Sequence, residues 1–210
     1  TGFGGTIQIS KEVPKIVLDE KISVRFDTNV NKLPWNFNVK KNVMDVKKLR
    51  EVNLGEHIRL LFENHQTVQY QIQEMLRIEK IFESPAIEEE LEAYNPLIPD
   101  GDNWKATFMI EFPDPAERAT RLEELVGIED KVWVGTDHEN KIYAFTNEDL
   151  DRSREEKTAA VHFMRFQLDE KTIAEIKDRK PLMAGIDHQK MEYQTTVSET
   201  IRSSLLNDLS

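Results

Sequence analysis

The 210 residues are 39% hydrophobic and 32% charged, enough apolar material for one folded core and against disorder throughout. Basic residues number 28 against 39 acidic, and the resulting −11 argues against nucleic acid or an anionic membrane as the main partner. The chain has no cysteine, hence no disulfide, thiol nucleophile or iron–sulfur cluster, and no apolar run approaches the ~20 residues of a membrane helix.

Charge divides the chain. Residues 1–50 hold ten Lys/Arg against five Asp/Glu, and the remainder hold 18 against 34. This change of sign points to two pieces with separate roles, or to a chance cluster of lysines in one basic arm. The first piece reads as strands. Thr6–Ser10 is short and β-branched, and Lys21–Phe26 alternates Ile22, Val24 and Phe26 against Lys21, Ser23 and Arg25. Asn31–Pro34 makes a turn, and Phe37–Val46 alternates again through Phe37, Val39 and Lys41. So short a β segment buries too little to stand alone, so residues 1–47 are expected to form a β-rich arm, not an independent domain.

TGFGGT at Thr1–Thr6, VRFDTNV at Val24–Val30 and LPWNF at Leu33–Phe37 resemble the start of the soluble domain of CtaG-type cytochrome c oxidase assembly proteins. That family delivers copper from a membrane-anchored, immunoglobulin-like β domain. The resemblance ends near residue 47, short of the Cys-Phe-Cys-Phe run that carries the family's copper ligands. Copper(I) delivery needs soft thiolates, so copper is not expected here and no residue inherits the metal role. Taken alone, the segment implies a periplasm-facing membrane protein; a fused or joined chain reconciles it with the larger, acidic piece.

From Lys48 the pattern turns to mixed helix and strand, expected as one domain over 48–210. Leu54–Glu63 reads as a strand leaving a Gly turn, and Gln66–Phe82 as a helix with Val68, Ile72, Met75, Leu76 and Phe82 on one face. Ser84-Pro85 fits an N-cap followed by Pro, with an acidic helix over Ile87–Tyr94. Pro96, Pro99 and Asp100-Gly101 make a stiff loop and a turn. Trp104–Phe112 alternates as a strand, and Asp114-Pro115 starts a helix running to Val126, with Gly127 as its C-cap. Val132–Val134 and Lys141–Phe145 form a hairpin, and Ala159–Leu168 is a strand apolar on both faces. A helix over Glu170–Lys177, strands at Leu182–Ile186 and Met191–Val197, and a helix over Ser198–Leu209 capped by Ser198 complete the chain. Short strands interleaved irregularly with helices predict an α+β fold, a mainly antiparallel sheet packed with several short helices.

QYQIQEMLRIEKI at Gln69–Ile81, EELEAYNPLIPDGDNWKATFMIEF at Glu89–Phe112 and EKTAAVHFMRFQL at Glu155–Leu168 resemble the bacterial domain of unknown function 3501 family. The family has no established activity. Genes of such families often sit beside rubrerythrin-like and iron–sulfur oxidoreductase genes, so the resemblance implies, by association, a cytoplasmic accessory role linked to redox metabolism, with an oxidoreductase as partner.

Polar residues inside apolar, strongly patterned elements are the candidate site. Gln73, Glu74 and Arg77 crowd one helix, where Glu74 and Arg77 form a local ion pair or face a ligand. Lys105 and Glu111 share one face of a strand, solvated or covered by a helix. His162 and Arg165 are the polar members of the most apolar strand; a satisfied core histidine and a surface ion pair are the plainer readings. Together, Gln73, Glu74, Arg77, Lys105, Glu111, His162 and Arg165 are expected to line a pocket for a small anionic ligand or a partner carboxylate. Glu74 and His162 are weak metal candidates in it, and the cofactor is unassigned. The alternative is an acid–base enzyme using Glu111, Lys105 and His162; binding is favoured over catalysis. Asp187-His188 reads as a turn or as a paired base.

Overall fold

The alternating segments build two antiparallel sheets whose apolar faces meet in one core. The structure, a computed structural model, describes residues 37–146, 148 and 156–210. The strands expected at Thr6–Ser10 and Lys21–Phe26 and the turn at Asn31–Pro34 lie outside the described residues.

The first described element corrects the sequence reading. Phe37–Lys48 is a helix, α1, not a strand. Its Val39, Val43 and Val46 are spaced four and three apart, a helical interval that outweighs the short alternation. Val43 is buried, and Lys47 and Lys48 occupy the last turn, where cations complement the helix dipole. Strands β1 (Glu51–Asn53) and β2 (Ile58–Phe62) then form a hairpin. Gly55, at φ +81°, supplies the left-handed turn, and the Leu54 N–H donates to the Ile58 carbonyl at 2.8 Å.

Helix α2 (His65–Glu79) starts from a capping box in which the Asn64 side chain accepts from the Thr67 N–H and Thr67 Oγ1 accepts from the Asn64 N–H, both at 2.9 Å. It ends at Lys80 in the left-handed region, short of the expected Phe82, which stands 68% exposed. Helix α3 (Ser84–Tyr94) takes Glu83 as its N-cap, so Ser84 and Pro85 are its first two residues. A 3₁₀ turn at Asn95–Leu97 leads to β3 (Asn103–Ile110). Helix α4 (Pro115–Glu124) is capped by Asp114, and its C-cap is Leu125; Gly127, at φ +80°, instead opens a 3₁₀ turn at Ile128–Lys131.

Strand β4 (Val132–Gly135) pairs with β5 (Lys141–Tyr143), but the expected second hairpin strand breaks at Ala144. Strand β6 (Phe145–Thr146) pairs instead with β7 (Val161–Gln167) in the other sheet. The Ala144 N–H, donating to the Val132 carbonyl at 2.9 Å, holds this corner. Helix α5 (Glu170–Lys177), strands β8 (Met183–His188) and β9 (Met191–Thr196) and helix α6 (Glu199–Leu206), capped by Ser198, match the sequence expectation closely. The five-stranded sheet runs β1-β2-β3-β7-β6 and the four-stranded sheet β5-β4-β8-β9. The protein is α+β.

Inner faces supply the core: Ile58, Leu60, Phe62, Trp104, Phe108 and Phe166 from the larger sheet meet Val132, Val134, Ala184 and Ile186 from the smaller. Ile176 of α5 and Leu205 of α6 close its end, and Trp104 Nε1 donates to the Leu205 carbonyl at 3.1 Å. Arg50 is buried beside them. Its guanidinium donates to the Phe62 and Glu63 carbonyls at 2.9 and 3.0 Å and pairs with Asp208, tying the end of α6 to the end of β2.

Candidate functional site

The outer face of the larger sheet is organised in rows across its strands. Leu61, Thr107 and Phe163 form one row, and Arg59, Met109 and Val161 the next. Lys105 and Arg165 form a third, and Phe145 extends it; Glu63, whose N–H donates to the Lys105 carbonyl, continues it beyond β2. Helices α2 and α3 cover part of this face. They carry a second, smaller core of Val68, Ile72, Leu76, Ile87 and Leu91, separate from the main one, with Tyr94 and Leu97 packed on it. Between this helical layer and the sheet lies a cleft of about 200 Å³. Leu61, Met109, Val161 and Phe163 make its floor, and Val68, Tyr94 and Leu97 its roof.

Besides Tyr94, its polar residues are Glu63, Thr107, Gln71 and Lys47. Glu63 is 8% exposed. Its Oε2 accepts from Thr67 Oγ1 at 2.5 Å and its Oε1 from Thr107 Oγ1 at 2.6 Å. One hydroxyl comes from the helical layer and the other from the sheet, so the carboxylate joins the two. A second cavity of about 150 Å³, lined by Lys105, Arg165 and Glu148, shares Leu97 and Phe163 with the first.

The seven residues expected in one pocket fall in four places. Glu74 and Arg77 pair with each other on α2, at 2.9 and 3.1 Å; the Arg77 bond holds the Glu74 carboxyl below its ordinary range, and Gln73 lies beside them on the same helix. Lys105 and Arg165 are cross-strand neighbours in the second cavity. The Lys105 ammonium lies 3.7 Å from Asp100, and the Arg165 guanidinium forks onto Glu148 over the Phe145 ring. Glu111 sits past the far end of β3, paired with Arg59. His162 faces the opposite way, into the core: its Nε2 is 2.9 Å from Thr158 Oγ1 and 3.0 Å from the Ala159 carbonyl, with Glu129 at 4.0 Å.

The acid–base set of Lys105, Glu111 and His162 is therefore not assembled. A strand alternates its faces, which sets His162 against Lys105, and six residues of strand hold Glu111 about 20 Å from Lys105. Glu74 and His162, the metal candidates, likewise stand in different layers. Among the described residues no group of three or more His, Asp or Glu is placed to hold a metal ion.

Asp187 and His188 are not a paired base either. Asp187 accepts from Trp133 Nε1 at 3.1 Å, Lys141 Nζ at 2.7 Å and the Tyr143 hydroxyl at 2.6 Å, while His188 Nε2 meets the Val126 carbonyl at 3.2 Å. Glu63 was not among the expected site residues. The signal lay in Leu-Leu-Phe-Glu, where alternation puts Glu63 on the same face as Leu61, directly before the capping box.

Fold and cleft together define a two-sheet α+β protein with a small, mostly apolar pocket under a helical layer. The chain belongs to the DUF3501 family, proteins of unknown function, which it matches over residues 37–209. A crystal structure of a novel protein of unknown function from Burkholderia pseudomallei is 45% identical, with a TM-score of 0.78 over 82% of this chain and 90% of that one. Short matches also reach curated proteins named cytochrome c oxidase assembly protein CtaG. That of Rhizobium meliloti is 36% identical over 63 residues, 30% of this chain and 29% of that protein. That of Rhodopseudomonas palustris is 45% identical over 47 residues, 22% and 23% of the two chains. The chain thus spans less than a third of the length of the CtaG proteins it matches. Among the described residues no helix is long and apolar enough to cross a membrane.

Proposed function

We propose that this chain is a ligand-binding accessory protein whose site is the cleft between the helical layer and the larger sheet. The observation that carries the reading is an apolar cavity containing a buried carboxylate, placed where two separately packed layers meet. Its volume falls below the ~300 Å³ at which drug-sized pockets begin, so the occupant is a small molecule. The lining is mostly apolar side chains, which favours binding over acid–base chemistry. Val161, 44% exposed, stands at the mouth. Small aliphatic and aromatic fragments are expected to shift the methyl NMR signals of Leu61, Val68, Leu97 and Met109. Val161→Trp is expected to abolish those shifts at an unchanged melting temperature; fragments that shift them equally in the variant overturn the reading.

A small anion is the second reading, favoured by Lys105 and Arg165 side by side in the neighbouring cavity. It requires the half-exposed Glu148 to be displaced from Arg165. The family resemblance supports a cytoplasmic role beside an oxidoreductase. Co-purification with a rubrerythrin-like or iron–sulfur oxidoreductase, with altered turnover of that enzyme, is the expected result. Copper delivery finds no support in this chain's cysteine-free sequence.

A further inference from the structure

We infer that the cleft selects a cationic group, a primary ammonium on a short apolar body, and that Glu63 is the residue that selects it. The inference rests on the cleft being the binding site. A carboxylate nine-tenths buried against an apolar wall is ordinarily matched by a cation. Around Glu63 the described residues supply hydroxyls instead, from Thr67 and Thr107, and leave lone pairs on both oxygens. The cations nearby serve other groups. The Arg50 guanidinium bonds the Glu63 main-chain carbonyl, and its charge is met by Asp208. Lys105, the cross-strand neighbour, turns to Asp100 in the second cavity. Lys47 lines the cleft without an ion pair to Glu63 among the described residues.

An alkylammonium fits all of these features. Its NH₃⁺ has three donors for the free lone pairs of the carboxylate, and its alkyl chain lies along Leu61, Met109 and Phe163. The alcohol of the same length offers the same apolar area and no charge, and the carboxylate of the same length brings like charge to Glu63. The three therefore separate charge recognition from simple filling of the cavity.

Calorimetric titration of the full chain with butylamine, butanol and butyrate at neutral pH tests the inference, repeated on Glu63→Gln and Lys47→Ala. Butylamine is expected to bind about tenfold or more tighter than butanol, as a charge-assisted bond allows. Glu63→Gln, which keeps the side-chain shape and one acceptor oxygen but removes the charge, is expected to level the two, and Lys47→Ala to leave the preference in place. Equal binding of all three by the wild-type protein overturns the ammonium assignment while leaving the cleft reading standing. So does tighter binding of butyrate that is lost in Lys47→Ala. No binding of any of the three overturns both. The wild-type comparison decides these outcomes even where Glu63→Gln loses stability.

Discussion

Trp133 lies on the outer face of the smaller sheet and is nevertheless fully buried. The reason is the residue beside it. Gly185, its cross-strand partner, has no side chain, and a Cβ built there would come within 2.5 Å of the indole ring. The indole fills that space, Lys141 Nζ sits 4.5 Å above its centroid, and the Asp187 carboxylate accepts from Trp133, Lys141 and Tyr143. Burial on its own raises the Asp187 carboxyl, but the three hydrogen bonds together outweigh it and hold the group below its ordinary range. The same bond raises the Tyr143 hydroxyl. A carboxyl depressed in the folded state contributes stability that is complete above its unfolded value and lost as pH falls through the folded one. The wild-type protein is therefore expected to lose more stability than Asp187→Asn between about pH 5 and about pH 3. Urea midpoints followed by tryptophan emission measure this, and parallel pH curves for the two proteins overturn it.

At the scale of elements, α2 shows how local sequence positions a site. Its capping box fixes Asn64 and Thr67, and the Thr67 hydroxyl that accepts from the Asn64 N–H also reaches Glu63. Asn64→Ala removes the acceptor for the Thr67 N–H and is expected to lower stability by about 1 kcal/mol, read from the urea midpoint at unchanged slope. A variant as stable as the wild type contradicts the capping role. Most elements were legible because local signals and burial agree. Asp169 caps α5 and Ser198 caps α6, and β3 alternates buried Trp104, Ala106, Phe108 and Ile110 with half-buried Lys105, Thr107 and Met109. The misread segments are those where tertiary pairing decides. Phe37–Val46 carries both periods and becomes helical by packing Val43 against the rest of the protein. Lys141–Thr146 is continuous in pattern but is shared between two sheets, and no local period encodes that bend. β1, only three residues long, has too few positions to show alternation.

For the whole molecule, the division into two cores connects fold to function. Sheet faces meet in the large core, whereas α2 and α3 hold only a five-residue cluster of buried apolar side chains and touch the sheet around a partly open cleft. This also explains why the site was hard to read. All the expected residues but Glu111, which lies just past the end of β3, were found on their own elements, but convergence depends on which sheet face the helices cover, and that face carries Glu63 and not His162. A layer with a small core of its own opens at lower free energy than the sheets beneath it. Hydrogen exchange is expected to show this directly, with amides of α2 and α3 exchanging faster than those of β3 and β7 in the ligand-free protein. A ligand in the cleft contacts both layers and stabilises only the closed form, so protection in α2 and α3 is expected to rise with ligand concentration while that of β3 and β7 changes less. Equal protection across all four elements without ligand would mean that the helical layer is part of one cooperative unit and that the cleft does not open by its movement.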